Sequence, residues 1–125
     1  MFIYHIADDP DRGEAAARVL RVIEEGEEAA TSALAISQVC GYLGWRRRED
    51  VIPLFLEFVR SLPTLLKVET GLEDFLEAEE ASRLGLSLRM WDDLAIAVQM
   101  RRLGIEEVYS NDGDFNPIPW VGRVF

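Results

Sequence analysis

The chain opens on "MFIYHIADDP", apolar and aromatic from its first residue, as though it began inside an element. The pattern then turns helical. "DRGEAAARVLRVIEEG" has apolar residues at helical spacing, a capping-box spacing at Asp11 and Glu14, and Gly26 as its stop. A short strand at about residues 28–31 runs into a second helix over "TSALAISQVCGYL". Trp45 and the basic run Arg46, Arg47, Arg48 make a connector to a third helix, "EDVIPLFLEFVRSL", whose Pro53 falls in the first turn, where proline is tolerated. "TLLKVE" reads as a buried strand, and Thr70 with Glu73 caps a further helix over "GLEDFLEAEEASRLG".

The last third carries the strongest pattern. "MWDDLAIAVQMRRLG" is a helix opened by Asp92 or Asp93 and closed at Gly104. Its apolar residues spread around much of the wheel, which predicts burial on more than one side. "EEVYSN" then reads as a strand and "WVGRVF" as a final strand. Helices alternating with strands predict an α/β domain with a mostly parallel sheet. In such sheets ligands sit beyond the carboxyl ends of the strands, and "YSNDGDF" is such an end.

At 125 residues the chain suits one domain spanning residues 1–125. With 49% hydrophobic and 29% charged residues it has the composition of a folded globular protein. The sequence contains no apolar run of the ~18 residues that would span a bilayer and no secretory signal pattern, so no membrane association and a cytoplasmic location are expected. One cysteine, Cys40, excludes an internal disulfide and a cysteine-built zinc site. The net charge is −10, from 23 acidic and 13 basic residues. A field of that sign repels nucleic acid, so a phosphodiester substrate would need bound cations to bridge the repulsion, and a basic protein partner is the other use of the acidity.

Each acid near the "YSNDGDF" end also has an ordinary role open to it. Asp112 precedes glycine, as turn residues do, and Asp114 is placed to accept hydrogen bonds from its own loop. Asp92 suits a helix N-cap as well as a metal ligand, whereas Asp93 reads as a first-turn acid favoured by the helix dipole.

Taken in order, "WDDLAIAVQMRRLGIEEVYSNDGDF" resembles the C-terminal half of PIN domains, the metal-dependent nuclease fold of VapC-type toxins. Asp92 matches the helix-opening Asp, and Ser110-x-Asp112-x-x-Phe115 matches the Ser/Thr-x-Asp-x-x-Phe motif. "WVGRVF" is similar to the closing strand, "TSALAISQVCGYL" to the second helix and "FIYHI" to the first, so the resemblance covers essentially the whole chain. It implies a PIN-like three-layer α/β/α fold and Mg²⁺ or Mn²⁺ held by Asp92, Asp112 and Asp114, with Ser110 orienting water or a carboxylate and Asn111 in support. It further implies an RNA substrate cleaved as an endoribonuclease, a cognate antitoxin and a homodimer, with Phe55, Phe58 and Leu62 candidates for the dimer face.

Two positions depart from the family pattern. Gln38 stands where the second helix usually carries a catalytic Glu, so it offers an amide oxygen but no charge. Met1 falls at an apolar place in the Asp-x-Asn motif of the first strand, whose Asp would lie three residues earlier. The expectation is therefore a first strand absent from this chain, a start codon upstream, and weakened or absent activity. Asp50, Glu73 and Asp74 are possible substitute acids. An inactive PIN-like module binding a protein partner or RNA is the competing reading. A phosphoryl-transfer receiver domain is weaker, because Lys67, the one lysine, is not placed as that fold requires.

Among other residues, His5 and Cys40 read as packing, Trp45, Trp91 and Trp120 as core or interface anchors, and Arg46 to Arg48 as a solvated connector within reach of RNA phosphates.

Overall fold

A computed structural model describes residues 21, 23–26, 28–110 and 113–124. The opening stretch with His5 and most of the first expected helix lie outside the described residues, as do Asn111 and Asp112. The chain divides into two compact units, one ending at Val68 and one beginning at Glu69.

In the first unit, Arg21, Ile23 and Glu24 are helical and Gly26 ends the helix at φ +106°, a conformation glycine adopts freely. Strand β1, Ala29–Ser32, leads directly into helix α1, Ala33–Trp45. Ser32 makes the switch: its extended backbone belongs to the strand, and its hydroxyl accepts from the Leu34 N–H at 3.1 Å as the N-cap. Ile36, Val39, Cys40 and Leu43 recur at i, i+3, i+4 and i+7, the spacing that lays one helix face against the core.

After a 3-10 turn at Glu49–Val51 comes helix α2, Ile52–Ser61, with Pro53 in its first turn as expected. Strand β2, Leu65–Val68, pairs parallel with β1 in the register Ala29 to Leu65. The core joins Ile23, Val39, Leu43, Phe55, Val59, Leu62 and Leu65. Two expectations are corrected here. Phe55 and Leu62 are only 2% and 3% exposed and Phe58 packs half-buried beside them, so this helix face is core and not a subunit contact. Strand β2 is not buried throughout: Leu65 lies in the core and Val68 is half-buried, while Leu66 and Lys67 are exposed. Lys67 Nζ instead donates to the Leu62 carbonyl at 2.6 Å, at the C-terminal end of α2 where carbonyls lack helical partners.

The second unit is built on two helices. Helix α3, Leu72–Ser82, turns Asp74, Ala78 and Ala81 inward at i, i+4 and i+7. It packs on helix α4, Trp91–Leu103, in which residues 93–95 and 97–100 are all buried. That is the burial on several sides which the wheel predicts. Helix α4 ends on Gly104 at φ +72°, with Gly104 N–H bonded to the Arg101 carbonyl and Ile105 N–H to the Met100 carbonyl, the two bonds of a Schellman motif. Strand β3, Glu107–Val108, pairs parallel with β4, Gly122–Arg123. Between them a 3-10 turn, Gly113–Phe115, packs on α4 with Phe115 buried. Trp120 fastens the chain that follows: its indole N–H donates to the Ala97 carbonyl at 2.8 Å, and the Arg101 guanidinium lies 4.2 Å from its ring centre.

The molecule is thus mixed α/β, and both pairs of strands are parallel. The described strands form two two-stranded sheets, shorter than the pattern predicts: "EEVYSN" contributes two strand residues and "WVGRVF" two.

Candidate functional site

The expected acids of the second unit lie at the start of α4 and in the loop between β3 and β4. Asp92 stands in the first turn of α4, half-buried, and one of its carboxylate oxygens accepts from the Asp93 N–H at 3.0 Å. It is not the N-cap. Met90 holds that place with no side-chain hydrogen bond, because a preceding 3-10 turn, Leu88–Met90, feeds straight into the helix. Asp92 therefore acts on the free N–H groups from inside the first turn, where the helix dipole favours negative charge. Asp93, its neighbour, is buried at 5% exposure.

Asp114 is exposed on the Gly113–Phe115 turn, which the buried Phe115 holds against α4. Ser110 is half-buried just beyond β3, and Asp112 lies outside the described residues. Gln38 is half-buried on α1, in the first unit. Among the described residues no three His, Cys, Asp or Glu side chains are grouped closely enough to hold a metal ion. The expected trio depends on Asp112. The donors that are described, the carboxylates of Asp92 and Asp114, are hard oxygens of the kind Mg²⁺ and Mn²⁺ take, so the chemistry of the set fits such an ion while supplying part of a coordination shell.

Arg123 has a role the sequence did not signal. From β4 its Nε donates to Asn116 Oδ1 at 2.9 Å and its Nη1 to the Ser110 carbonyl at 3.4 Å. It thereby ties both ends of the segment carrying Asp112 and Asp114.

The substitute acids separate cleanly. Asp50 is exposed and pairs with Arg48 at 3.5 Å, and Glu73 is exposed on the first turn of α3. Asp74 is buried and fully engaged. One oxygen accepts from the Gly71 N–H at 2.9 Å and the Gln99 amide at 3.0 Å, and the other from Arg102 at 2.7 Å. Desolvation pushes the Asp74 pKa up, but the Gly71, Gln99 and Arg102 donors outweigh it and the net shift is downward. Glu77 shares Arg102 at 3.0 Å. This also corrects the expected cap of α3, which is Gly71 with Asp74 and not Thr70 with Glu73. The Thr70 hydroxyl accepts from Gln99 instead. The available signal was Gln99 and Arg102, one turn apart on a helix otherwise apolar at those positions.

Cys40 lies half-buried against the core, where burial pushes its thiol pKa up and disfavours the nucleophilic thiolate. Trp45 and Trp91 are exposed, at 77% and 52%, and so are not core anchors. No described helix is long and apolar enough to cross a membrane. Comparison with known proteins found no matching family model, no matching curated protein and no matching solved structure.

Proposed function

We propose that the chain is a Mg²⁺-dependent endoribonuclease of the PIN/VapC type, built as a three-layer α/β/α domain. The observation that supports it best is that Asp92 and the turn bearing Asp114 both belong to α4 or its packing partners. Asp92 lies in the first turn of α4, the turn bearing Asp114 packs on α4, and both the buried Phe115 and the preceding Ser110 belong to the Ser110-x-Asp112-x-x-Phe115 motif. On this reading Asp92, Asp112 and Asp114 hold the cation. A bound ion would supply an activated water and neutralise charge on the scissile phosphate. Ser110 orients the water or a carboxylate, and Arg123 fixes the loop. A basic antitoxin, a homodimer and a cytoplasmic location belong to the same proposal.

One residue favours a second reading, an inactive module that binds a protein partner or RNA. Gln38 stands where the resemblance calls for Glu and brings no negative charge. Cleavage of a labelled RNA with and without Mg²⁺ or Mn²⁺ separates the two. For the nuclease, Asp92→Asn lowers the cleavage rate roughly 100-fold, in line with losses on disturbing metal ligation, and Gln38→Glu raises it. If neither wild type nor Gln38→Glu cleaves, the binding module is the correct reading.

A further inference from the structure

The C-terminal end of α1 carries a surface that the proposed metal site does not use. Trp45, the last helical residue, is 77% exposed, an unusual placement for the largest apolar side chain. Tyr42 lies one turn earlier with its ring centre 6.2 Å from that of Trp45. Arg46 stacks over Tyr42, its guanidinium 5.8 Å from the ring centre and its Nη1 donating to the phenol oxygen at 3.3 Å. The next two residues are Arg47 and Arg48, both exposed.

The backbone adds an independent observation. Helix α1 closes in a Schellman motif, with Arg47 N–H bonded to the Gly44 carbonyl and Arg48 N–H to the Leu43 carbonyl. Such a motif needs a left-handed residue, and glycine usually supplies it. Here Arg47 does, at φ +57°, the only described non-glycine residue with positive φ. The chain accepts backbone strain at a position where glycine would remove it, and in return keeps three consecutive arginines directly after the Tyr42–Trp45 pair.

We infer that Tyr42, Trp45, Arg46, Arg47 and Arg48 form a docking knuckle for single-stranded RNA, on which an unpaired base stacks on Trp45 and the arginines pair with the flanking phosphates. The chemistry is that of single-strand binding surfaces, in which aromatic faces take bases and guanidinium groups track the backbone. The acids nearby do not block it. Glu49 and Asp50 follow the run, but the one ion pair they make with it, Arg48 to Asp50 at 3.5 Å, joins side chains 57% and 73% exposed, a weak contact that a phosphate can displace. With the molecule at −10 overall, this is a local positive surface on a repelling body, so binding should be modest and confined to the knuckle. The choice of RNA rests on the nuclease reading, while the contacts themselves do not require a metal.

The test is fluorescence anisotropy of a labelled oligouridylate of about 12 nucleotides, with the intact chain and excess chelator so that metal-dependent cleavage cannot contribute. The single strand binds, the same strand in a duplex binds more weakly, and log Kd against log salt has a slope of magnitude about 2, as three phosphate contacts on a single strand require. Trp45→Ala weakens binding about fivefold or more, the loss of one stacked base. Arg47→Gly is the decisive variant: it relieves the backbone, so the melting temperature rises, yet affinity falls and the salt slope shrinks by about 0.7. Unchanged affinity in both variants, or equal binding of single strand and duplex, overturns the proposal. Binding of an acidic peptide with no binding of RNA overturns it too and makes the knuckle a protein-docking surface. RNA binding without cleavage on adding Mg²⁺ leaves the knuckle standing and removes the nuclease reading; cleavage with Trp45→Ala binding as wild type does the reverse.

Discussion

Asp74 shows how one carboxylate can serve two helices. It accepts the Gly71 N–H at the start of α3 and receives Gln99 and Arg102 from α4. Removing it unpairs the Gly71 N–H and takes one acceptor each from Gln99, which keeps Thr70, and Arg102, which keeps Glu77, so Asp74→Ala should cost about 1–2 kcal/mol in denaturant unfolding. Because its folded pKa lies below the ordinary Asp value of about 3.9, the stabilisation is fully present above that pH and is lost as pH falls through the lower folded value. Acid titration of wild type against Asp74→Asn should therefore show the two converging in stability as the pH drops well below 4. A constant gap down to the lowest pH would show that Asp74 acts by packing and not by charge.

Among the elements, α4 is the one the sequence described best, and its ends show the limits. Its burial on more than one side was legible because apolar residues filled most positions, and its stop was legible because only Gly104 could adopt φ +72° there cheaply. Its start was not. A 3-10 turn running into the helix removed the need for a side-chain cap, and no local signal in "SLRMWDD" distinguishes that from a cap at Asp92. The same holds for α3, where Thr70 was drawn away from capping by Gln99, 29 residues along the chain. Gly104→Ala tests the stop directly. No atom lies within 4 Å of where its Cβ would sit, so the cost is the left-handed backbone alone, about 1 kcal/mol, read as a lowered urea midpoint with unchanged slope. A change in slope would mean that more than the helix end had moved.

For the whole molecule the α/β class was legible from the alternation of elements, and the helix faces from their spacing. What sequence could not supply was the length of the strands or which side chains of the "TLLKVE" strand meet solvent, since both depend on partners distant in the chain. The candidate site rests on a motif, Ser110-x-Asp112-x-x-Phe115 after Asp92, whereas the hold of Arg123 on that loop arises only from tertiary contact. If the acids share an ion, Mg²⁺ at about 100 times its Kd should stabilise the fold by about 2.7 kcal/mol, a melting shift of several degrees that Asp92→Asn abolishes. Equal shifts in both proteins would show the ion acting through general charge screening of the −10 surface.

The two parallel pairs also differ in how far the chain must travel to close them. Ala29 meets Leu65 across two intervening helices, whereas Glu107 meets Gly122 after the loop of residues 109–121. Closing the longer span costs roughly 0.8 kcal/mol more in chain entropy. The β3–β4 pair is also made of fewer residues. Its contacts are thus quick to form and few in number, while those of β1 and β2 must wait for α1 and α2 to condense between them. The expectation from contact separation is that the C-terminal pair forms first and that closing the N-terminal pair is the slower step for its half of the chain.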